Sequence, residues 1–419
     1  MQSMLHQADQ LRARIAGWYS SIPAVVWILF TGGLLNSIGN SFLWPLNSLY
    51  IHTVLGKSMT TAGIVLMLMN GAGILGNLAG GALFDRIGGK WVILVGLLGS
   101  AVWVTALGFT HSFPLYVALM ITLGFTQSMV WPSFHALIGQ LWPSGGRRAF
   151  NMFYVVNNLG VAIGTAIGGF LAEISFLLVF LLNGLSYSLY AAIFLYALRR
   201  HRVPEESDSL DPASALPENQ PAAVTQTAVS IAAPVALLSI GILIAWTAYS
   251  QWAGPLAVYT QQAGYPLSSY SFLWTLNGIL IVAGQPFLTP LLSRFLRSLT
   301  LQLITGGLLY VATFVLIAGF PVYTGFVLGM AVMTIGEMII LPGVPAAINR
   351  LAPKERMGFY QGITASAATA GRMLGPVLGG MVFDHAGAIR LFLLAAIACL
   401  AATACFVGFH LSSKKCPAE

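Results

Sequence analysis

Charged side chains are scarce in this sequence of 419 residues: 7% are Asp, Glu, Lys or Arg, whereas 57% are hydrophobic. A soluble domain carries about 25% charged residues, so a water-soluble globule is excluded. Cysteine is also rare, and the three residues Cys399, Cys405 and Cys416 give neither a disulfide framework nor the spacing of metal ligands. Long apolar runs fill the chain instead, which indicates a polytopic membrane protein.

Familiar catalytic motifs are also missing from the sequence. There is no phosphate-binding P-loop, no zinc-binding H-E-x-x-H and no G-x-S-x-G nucleophile motif. We therefore predict a protein that is not an enzyme and that holds no cofactor or metal. The net charge of +7 could suggest a nucleic-acid partner, but the basic residues lie in short loops between apolar runs. That distribution is the orientation signal of membrane proteins, so no nucleic-acid binding is predicted.

Twelve apolar runs have about the length that crosses a bilayer as a helix. They are at about 22–51, 59–82, 91–110, 114–141, 149–172, 175–198, 229–257, 267–292, 299–319, 322–349, 358–382 and 391–410. The predicted fold class is therefore an all-α polytopic membrane protein with twelve transmembrane helices.

The longest connection, at 199–228, is rich in Pro, Glu, Ser, Asp and Ala and is predicted to be a solvated linker. It divides the chain into two six-helix bundles. The predicted domains are an N-tail at 1–21, a first bundle at 22–198, the linker at 199–228, a second bundle at 229–410 and a C-tail at 411–419.

The distribution of basic residues predicts the orientation. With both termini in the cytoplasm, Lys57 and Arg390 are the only basic residues in outside loops, Arg372 lies within a run, and the other 16 of the 19 face the cytoplasm. This asymmetry is typical of helical membrane proteins. We expect a multi-pass protein of the cell membrane with both termini inside.

The two halves of the sequence repeat each other. Residues 131–143 (WPSFHALIGQLWP) and 341–353 (LPGVPAAINRLAP) share five of thirteen positions, so the fourth and tenth runs correspond. The fifth and eleventh runs correspond through their glycines. Two parallel six-helix repeats are a transporter architecture, with the binding site between the repeats near the membrane midplane.

The loop between the second and third runs, GALFDRIGGK at 81–90, carries a recognisable motif. Its glycines permit a tight turn, and the carboxylate of Asp85 fits against the N-terminus of another helix; the alternative is an ordinary turn with inside-positive charge. The loop resembles the signature G-x-L-x-D-R-x-G-R-K of the major facilitator superfamily, with Gly89 where Arg is usual. The resemblance implies a gating latch formed by Gly81, Asp85, Arg86, Gly88 and Lys90.

Small residues recur every fourth position in the fifth and eleventh runs. They are Gly160, Gly164, Gly168, Gly371, Gly375 and Gly379, with Pro376 among them. Such spacing lets helices approach closely, so a helix-packing role is predicted. The string also resembles the antiporter signature of drug-exporting members of the superfamily, and on this basis the chain is most similar to the drug:proton antiporter branch.

Glu337 and Arg372 are the two ionisable residues near the centre of an apolar run. A charge at the bilayer centre costs about 3 kcal/mol on insertion scales, so such residues face a partner or a water-filled cavity. A carboxylate shielded from water can exchange a proton near neutral pH. We predict a role for both in proton coupling or substrate binding; the alternative is a structural ion pair between them.

Polar and aromatic residues at helical spacing mark further candidates on the first, fourth and seventh runs. Together with the tenth, these helices line the cavity in the family that the chain resembles. The predicted cavity-lining residues are Asn36, Asn40, Gln127, Trp131, His135, Trp246, Tyr249 and Trp252. The alternatives are membrane-interface anchoring for Trp44 and Trp252, and packing for His135.

These observations predict a secondary active transporter that works by alternating access. The resemblance and the cavity together imply proton-coupled export of bulky lipophilic or cationic small molecules. The expected partners are the substrate, protons and the lipid bilayer, and a monomer is expected. The alternatives are lipid or lysolipid, sugar or peptide cargo, or a membrane sensor that does not transport.

Overall fold

The computed structural model describes residues 22–43, 47, 50, 51, 54–110, 112–200 and 221–413. This part of the chain is all-α, with thirteen helices and no strand. The helices are α1 (Ala24–Leu43), α2 (Met59–Ile87), α3 (Gly89–Phe109), α4 (Phe113–Leu141), α5 (Arg147–Ile174), α6 (Phe176–Arg200), α7 (Pro221–Tyr249), α8 (Pro255–Gln262), α9 (Leu267–Phe295), α10 (Leu299–Gly319), α11 (Tyr323–Leu351), α12 (Met357–Ala386) and α13 (Ala388–Ser413).

Eleven of the described helices contain segments long and apolar enough to cross a membrane. Two described helices, α8 and α12, contain no segment that is both long and apolar enough. The short α8 has 8 residues, whereas α12 has 30 and is long enough to span. Its sequence is less apolar because it contains many small residues together with Arg372 and Asp384. With α12 included, the long helices correspond to the twelve predicted runs.

Two predicted boundaries need correction. The linker predicted at 199–228 is shorter, because the described part of α6 includes Arg199 and Arg200 and the described part of α7 includes residues 221–228. The run predicted at 229–257 breaks after Tyr249, because Gly254 and Pro255 start the separate helix α8. The run predicted at 22–51 contains α1, which is described to Leu43; Asn47, Tyr50 and Ile51 are also helical, and Trp44 lies outside the described residues.

The two halves pack by the same scheme. In the first half, α1 packs on α5 and α6, while α4 packs on α2 and α3. In the second half, α7 packs on α12 and α13, while α11 packs on α9 and α10. Helices α4 and α11 therefore occupy equivalent places, as do α5 and α12, which is the correspondence that the repeated sequences predicted.

Each half has its own apolar core. One cluster of buried side chains takes only Met357 from the second half, and the other takes only Phe150 from the first. The outer surface is apolar too: Leu75 is 61% exposed, Phe287 78% and Ile397 62%. Water-soluble monomers rarely expose apolar patches of this extent, so these faces are suited to lipid.

The glycine stripes of α5 and α12 lie where helices touch. A Cβ on Gly164 would lie 2.3 Å from the carbonyl oxygen of Ile38 on α1, and one on Gly371 would lie 2.3 Å from that of Leu243 on α7. Only glycine permits such close approach of two backbones. The stripes thus join equivalent helix pairs in the two halves, α1 with α5 and α7 with α12.

Gly375→Ala is expected to lower the thermal unfolding temperature by several degrees. Its Cβ would lie 2.6 Å from the Cβ of Ser250 and 2.8 Å from the carbonyl oxygen of Thr247, and such overpacking costs about 1–3 kcal/mol. Gly380→Ala on the same helix is the matched control, because nothing lies within 4 Å of its Cβ. Thermal unfolding in detergent measures both variants, and equal shifts would contradict the close packing.

Candidate functional site

Glu337 lies at the middle of α11, which runs from Tyr323 to Leu351. Its side chain is only 4% exposed. At about 1.5 Å per residue, it stands roughly 21 Å from either end of the helix. A carboxylate at this depth requires hydrogen-bond donors, because burying an unpaired charge is costly.

Three donors surround this carboxylate. The hydroxyl of Tyr154 on α5 donates to Oε1 at 2.8 Å, and the hydroxyl of Tyr249 on α7 donates to Oε2 at 3.2 Å. The amide of Asn277 on α9 donates to the same Oε2 at 2.8 Å and to Thr334 at 2.9 Å. Because Tyr154 belongs to the first half and the other partners to the second, Glu337 joins the two halves at mid-height.

Arg372 does not pair with Glu337, so the structural ion pair considered from the sequence is not present. Its Nη2 donates to the hydroxyl of Thr369 at 3.1 Å, and its guanidinium lies 4.8 Å from the ring centroid of Trp246. The side chain is exposed in the structure. Glu337 and Arg372 are thus separate features of the interior, connected through the aromatic residues of α7.

Two of the aromatic residues predicted on the seventh run, Trp246 and Tyr249, lie on α7, whereas the third, Trp252, lies beyond its end. Trp246 and Tyr249 pack edge to face at 5.2 Å, and Tyr249 reaches Glu337. Trp252 is a correction: it follows the last residue of α7, is 1% exposed and packs in the core of the second half beside Gly329. Because this side chain is fully buried in that core, it does not line a cavity.

The predicted residues of α4 form an aromatic group within the first half. Trp131 and His135 each pack edge to face on Phe153, at 5.4 and 5.6 Å. Trp131 is 36% exposed, whereas Gln127 is half-buried on the same helix.

The two asparagines of α1 are both half-buried. Asn40 accepts a hydrogen bond at 3.5 Å from Tyr187 of α6, and Asn36 has a buried carbonyl oxygen. The Tyr187 contact lies within the first half.

Two carbonyl groups in the middle of α11 accept hydrogen bonds from side chains of other helices. Pro342 has no N–H to donate to the carbonyl of Met338, and Gln285 of α9 donates to that oxygen at 3.3 Å. The next carbonyl, that of Ile339, accepts a bond at 2.9 Å from Arg147 of α5. The contact between Arg147 and Ile339 is a second polar link between the halves.

Asp85 lies against the first turn of α12, the kind of contact that the loop motif suggested. Its carboxylate accepts the backbone N–H groups of Gly358 at 2.8 Å and Phe359 at 2.7 Å. Helix N-termini have unpaired N–H groups and a partial positive charge, so an anion is favoured there. A Cβ on Gly81 would lie 2.2 Å from the carbonyl oxygen of Gly358, so glycine is required at this crossing.

The remaining motif residues have less direct contacts. Gly88 has a φ of +81°, which favours glycine and allows α3 to follow α2 at once. Arg86 is exposed, and the ammonium of Lys90 lies 5.3 Å from the ring of Trp91.

The contact between α2 and α12 continues from Asp85 towards the middle of the bundle. Asn77 donates to Thr369 at 3.1 Å, and Ser366 donates to the carbonyl of Ile74 at 3.1 Å. We call these contacts, together with those of Asp85, the α2–α12 seam. Thr369 is also the acceptor of Arg372, so the seam and the exposed guanidinium share one hydroxyl.

Sequence reasoning missed Tyr154 and Asn277, the two partners of Glu337 on α5 and α9. Asn277 had a usable signal, because it is a polar side chain inside an otherwise apolar run. Nothing in the sequence separates Tyr154 from the other 13 tyrosines. Arg147 was counted only as a loop charge, although its side chain reaches α11.

The paired six-helix halves, joined at mid-height by one buried carboxylate, define a polytopic membrane protein with the architecture of a transporter. A family model described as the Major Facilitator Superfamily matches residues 29–365 and 300–417. The chain belongs to the Major Facilitator Superfamily. It is a multi-pass membrane transporter of that superfamily.

Individual relatives agree with this assignment. The uncharacterized MFS-type transporter YttB of Bacillus subtilis (strain 168) is 42% identical over 382 residues, covering 90% of this chain and 93% of that protein. The quinolone resistance protein NorA of Staphylococcus aureus (strain MSSA476) is 25% identical over 366 residues, covering 86% and 90%. The crystal structure of the human organic anion transporter MFSD10 matches 92% of this chain and 100% of that chain with a TM-score of 0.69; at 16% identity it shows the fold alone.

Proposed function

We propose that this protein exports bulky lipophilic or cationic small molecules in exchange for protons, by alternating access between its two halves. The observation that carries the proposal is the Glu337 carboxylate, buried at mid-height and bound by donors from both halves. A group that gains and loses a proton at this place ties the proton to the arrangement of the halves.

The chemistry of the three donors supports this link. An ionised carboxylate only accepts hydrogen bonds, which suits the hydroxyls of Tyr154 and Tyr249 and the amide of Asn277. A protonated Glu337 presents an O–H group, so one of its neighbours must turn and accept. Tyrosine hydroxyls can do so, whereas the amide nitrogen of Asn277 cannot. Protonation of Glu337 therefore requires the hydroxyl of Tyr154 or Tyr249 to turn and accept. Tyr154 belongs to the first half, whereas Glu337 belongs to the second.

The structure supports an assignment to an outward-facing state. The end of the bundle where residues 201–220 connect α6 to α7 is called the linker end. Asp85 joins the halves at that end, and Arg147 and Asn151 join them between it and the middle, Asn151 by donating to Thr289 at 3.0 Å. The excess of basic residues in the loops at the linker end supports placing it in the cytoplasm. Release of these contacts would open the cytoplasmic side.

The same charge asymmetry supports a location in the cell membrane with both termini in the cytoplasm. A monomer is proposed because both halves of the site, including Tyr154 and Glu337, come from one chain.

Aromatic side chains and one acid favour the proposed cargo. Trp246 and Tyr249 offer ring faces that attract cations, and Glu337 adds a negative charge when ionised. The name of one relative, a quinolone resistance protein, supports aromatic drugs as cargo. Lipids or lysolipids, sugars and peptides are the competing cargo classes, and a membrane sensor that does not transport is the competing function.

Transport by the purified protein, inserted in liposomes with its cytoplasmic side facing outwards, tests the proposal. With an acidic lumen, we expect accumulation of tetraphenylphosphonium or ciprofloxacin, together with alkalinisation of the lumen when either compound is added. A panel of sugars, dipeptides and lysolipids is expected to give neither signal. Accumulation that ignores the pH gradient would contradict proton coupling, and accumulation of a panel compound alone would contradict the cargo class.

A further inference from the structure

Arg372 faces the interior of the bundle rather than lipid. At about 100° per residue, the exposed side chains of Leu374, Val377 and Met381 lie roughly 140–200° around the axis of α12 from Arg372. Those apolar residues form the lipid-facing side, so the guanidinium projects from the opposite side of the helix. Its contacts agree, because Trp246 lies on α7 and Thr369 is bound by Asn77 of α2.

The guanidinium is held but not neutralised by these contacts. It contacts the hydroxyl of Thr369 and the face of Trp246, and neither is an acid. The side chain is exposed although it lies at the middle of a 30-residue helix. A charge at this depth is stable only when it faces a cavity or a partner. Pro376, one turn further from the linker end, is exposed on the same side of the helix.

Trp246 and Tyr249 form an aromatic wall with opposite charges at its two ends. Arg372 stacks on Trp246 at 4.8 Å, Trp246 packs on Tyr249 at 5.2 Å, and Tyr249 donates to Glu337 at 3.2 Å. The wall therefore has a cationic end that is exposed and an anionic end that is buried. A complementary ligand is a flat aromatic molecule with an acidic group at one end and a basic group at the other.

We propose that Arg372 binds the carboxylate of a zwitterionic aromatic cargo whose ring stacks on Trp246 and whose amine is attracted by Glu337. This inference rests on the proposed function and names its substrate class. An arginine fork pairs with a carboxylate in planar, two-point fashion, which gives selectivity as well as affinity. Binding there competes with the bond from Arg372 to Thr369, so cargo acts directly on the α2–α12 seam.

Ciprofloxacin and its methyl ester test the inference, because the ester keeps the ring and the amine but has no carboxylate. Equilibrium dialysis with the full-length protein in nanodiscs, corrected for empty nanodiscs, measures both affinities without a pH gradient. We expect the acid to bind at least about tenfold more tightly than the ester, the effect of one charge-assisted interaction. In Arg372→Gln, the acid is expected to fall to the affinity of the ester, while the ester is unchanged.

Arg390→Gln, the same change at an exposed residue of α13, is the matched control and is expected to keep the wild-type ratio. Equal affinities of acid and ester in the wild type would overturn the inference, and this result needs no variant that must fold. Equal loss of both ligands in Arg372→Gln, or no binding of either compound, would also overturn it. The binding assay has no proton gradient, so its outcome is independent of proton coupling. The Arg372 inference can be overturned while proton-driven export of lipophilic cations is confirmed, and export can be contradicted while the binding preference is confirmed.

Discussion

Glu337→Gln is expected to reduce proton-driven accumulation of tetraphenylphosphonium at least tenfold, while downhill exchange of the same compound continues. Glutamine preserves the shape of the side chain but cannot lose a proton, so it imitates the protonated acid. Its oxygen can still accept from Asn277, and its NH₂ group then faces Tyr154, whose hydroxyl can turn to accept. The measurement compares uptake into liposomes with and without an acidic lumen.

Glu355→Gln is the matched control for this variant. It makes the same chemical change in the exposed turn between α11 and α12 and is expected to transport as the wild type does. The thermal unfolding temperature of both variants separates coupling from folding. Unchanged proton-driven uptake in Glu337→Gln would show that the coupling proton is carried elsewhere. A variant that no longer folds would show that the carboxylate is structural.

Asp85→Asn is expected to slow transport about tenfold or more while changing the affinity for cargo less than about threefold. The aspartate accepts two backbone N–H groups at the start of α12, and hydrogen bonds to a charged group contribute about 1.5–3 kcal/mol each. Asparagine retains one acceptor, and its NH₂ group opposes the second N–H. The arrangement seen in this structure loses stability at the linker end, whereas Glu337 and Trp246 are left intact.

Initial rates of transport and equilibrium binding, measured on the same preparation, check this prediction. Asp384→Asn makes the same change at an exposed position near the other end of α12, and wild-type behaviour is expected. If Asp85→Asn lost binding and rate in equal proportion, the effect would be on the cargo site. A wild-type rate would mean that the seam does not gate.

Much of the architecture follows from local properties of the sequence. The apolar runs predict the long helices because a bilayer requires about twenty apolar residues per span. The equivalence of α4 with α11, and of α5 with α12, could be predicted from repeated prolines and glycines. Glu337 was identifiable because a mid-membrane charge is costly and stands out in an apolar run. The motif around Asp85 predicted a helix N-terminus as its partner, although not which helix.

The partners of these residues could not be predicted in this way. Tyr154 and Glu337 are separated by 183 positions, and Asp85 and Gly358 by 273, so no local periodicity connects them. Arg372 was expected as a possible partner of Glu337, but the crossing of α12 with α7 places it on Trp246 instead. Trp252 matched the helical spacing of Trp246 and Tyr249, yet α7 ends before it and the turn buries it in the core.

The sequence by itself thus determined the membrane class, the twofold repeat and the presence of one acid and one base at mid-membrane depth. These depend on composition and on the energy of single residues in lipid, which are readable position by position. The tertiary structure alone decided that the acid joins the two halves through Tyr154 and that the base stands free of it on an aromatic ring. Both outcomes are set by which helices meet at the boundary between the halves, and that depends on the packing of whole surfaces rather than on any one run.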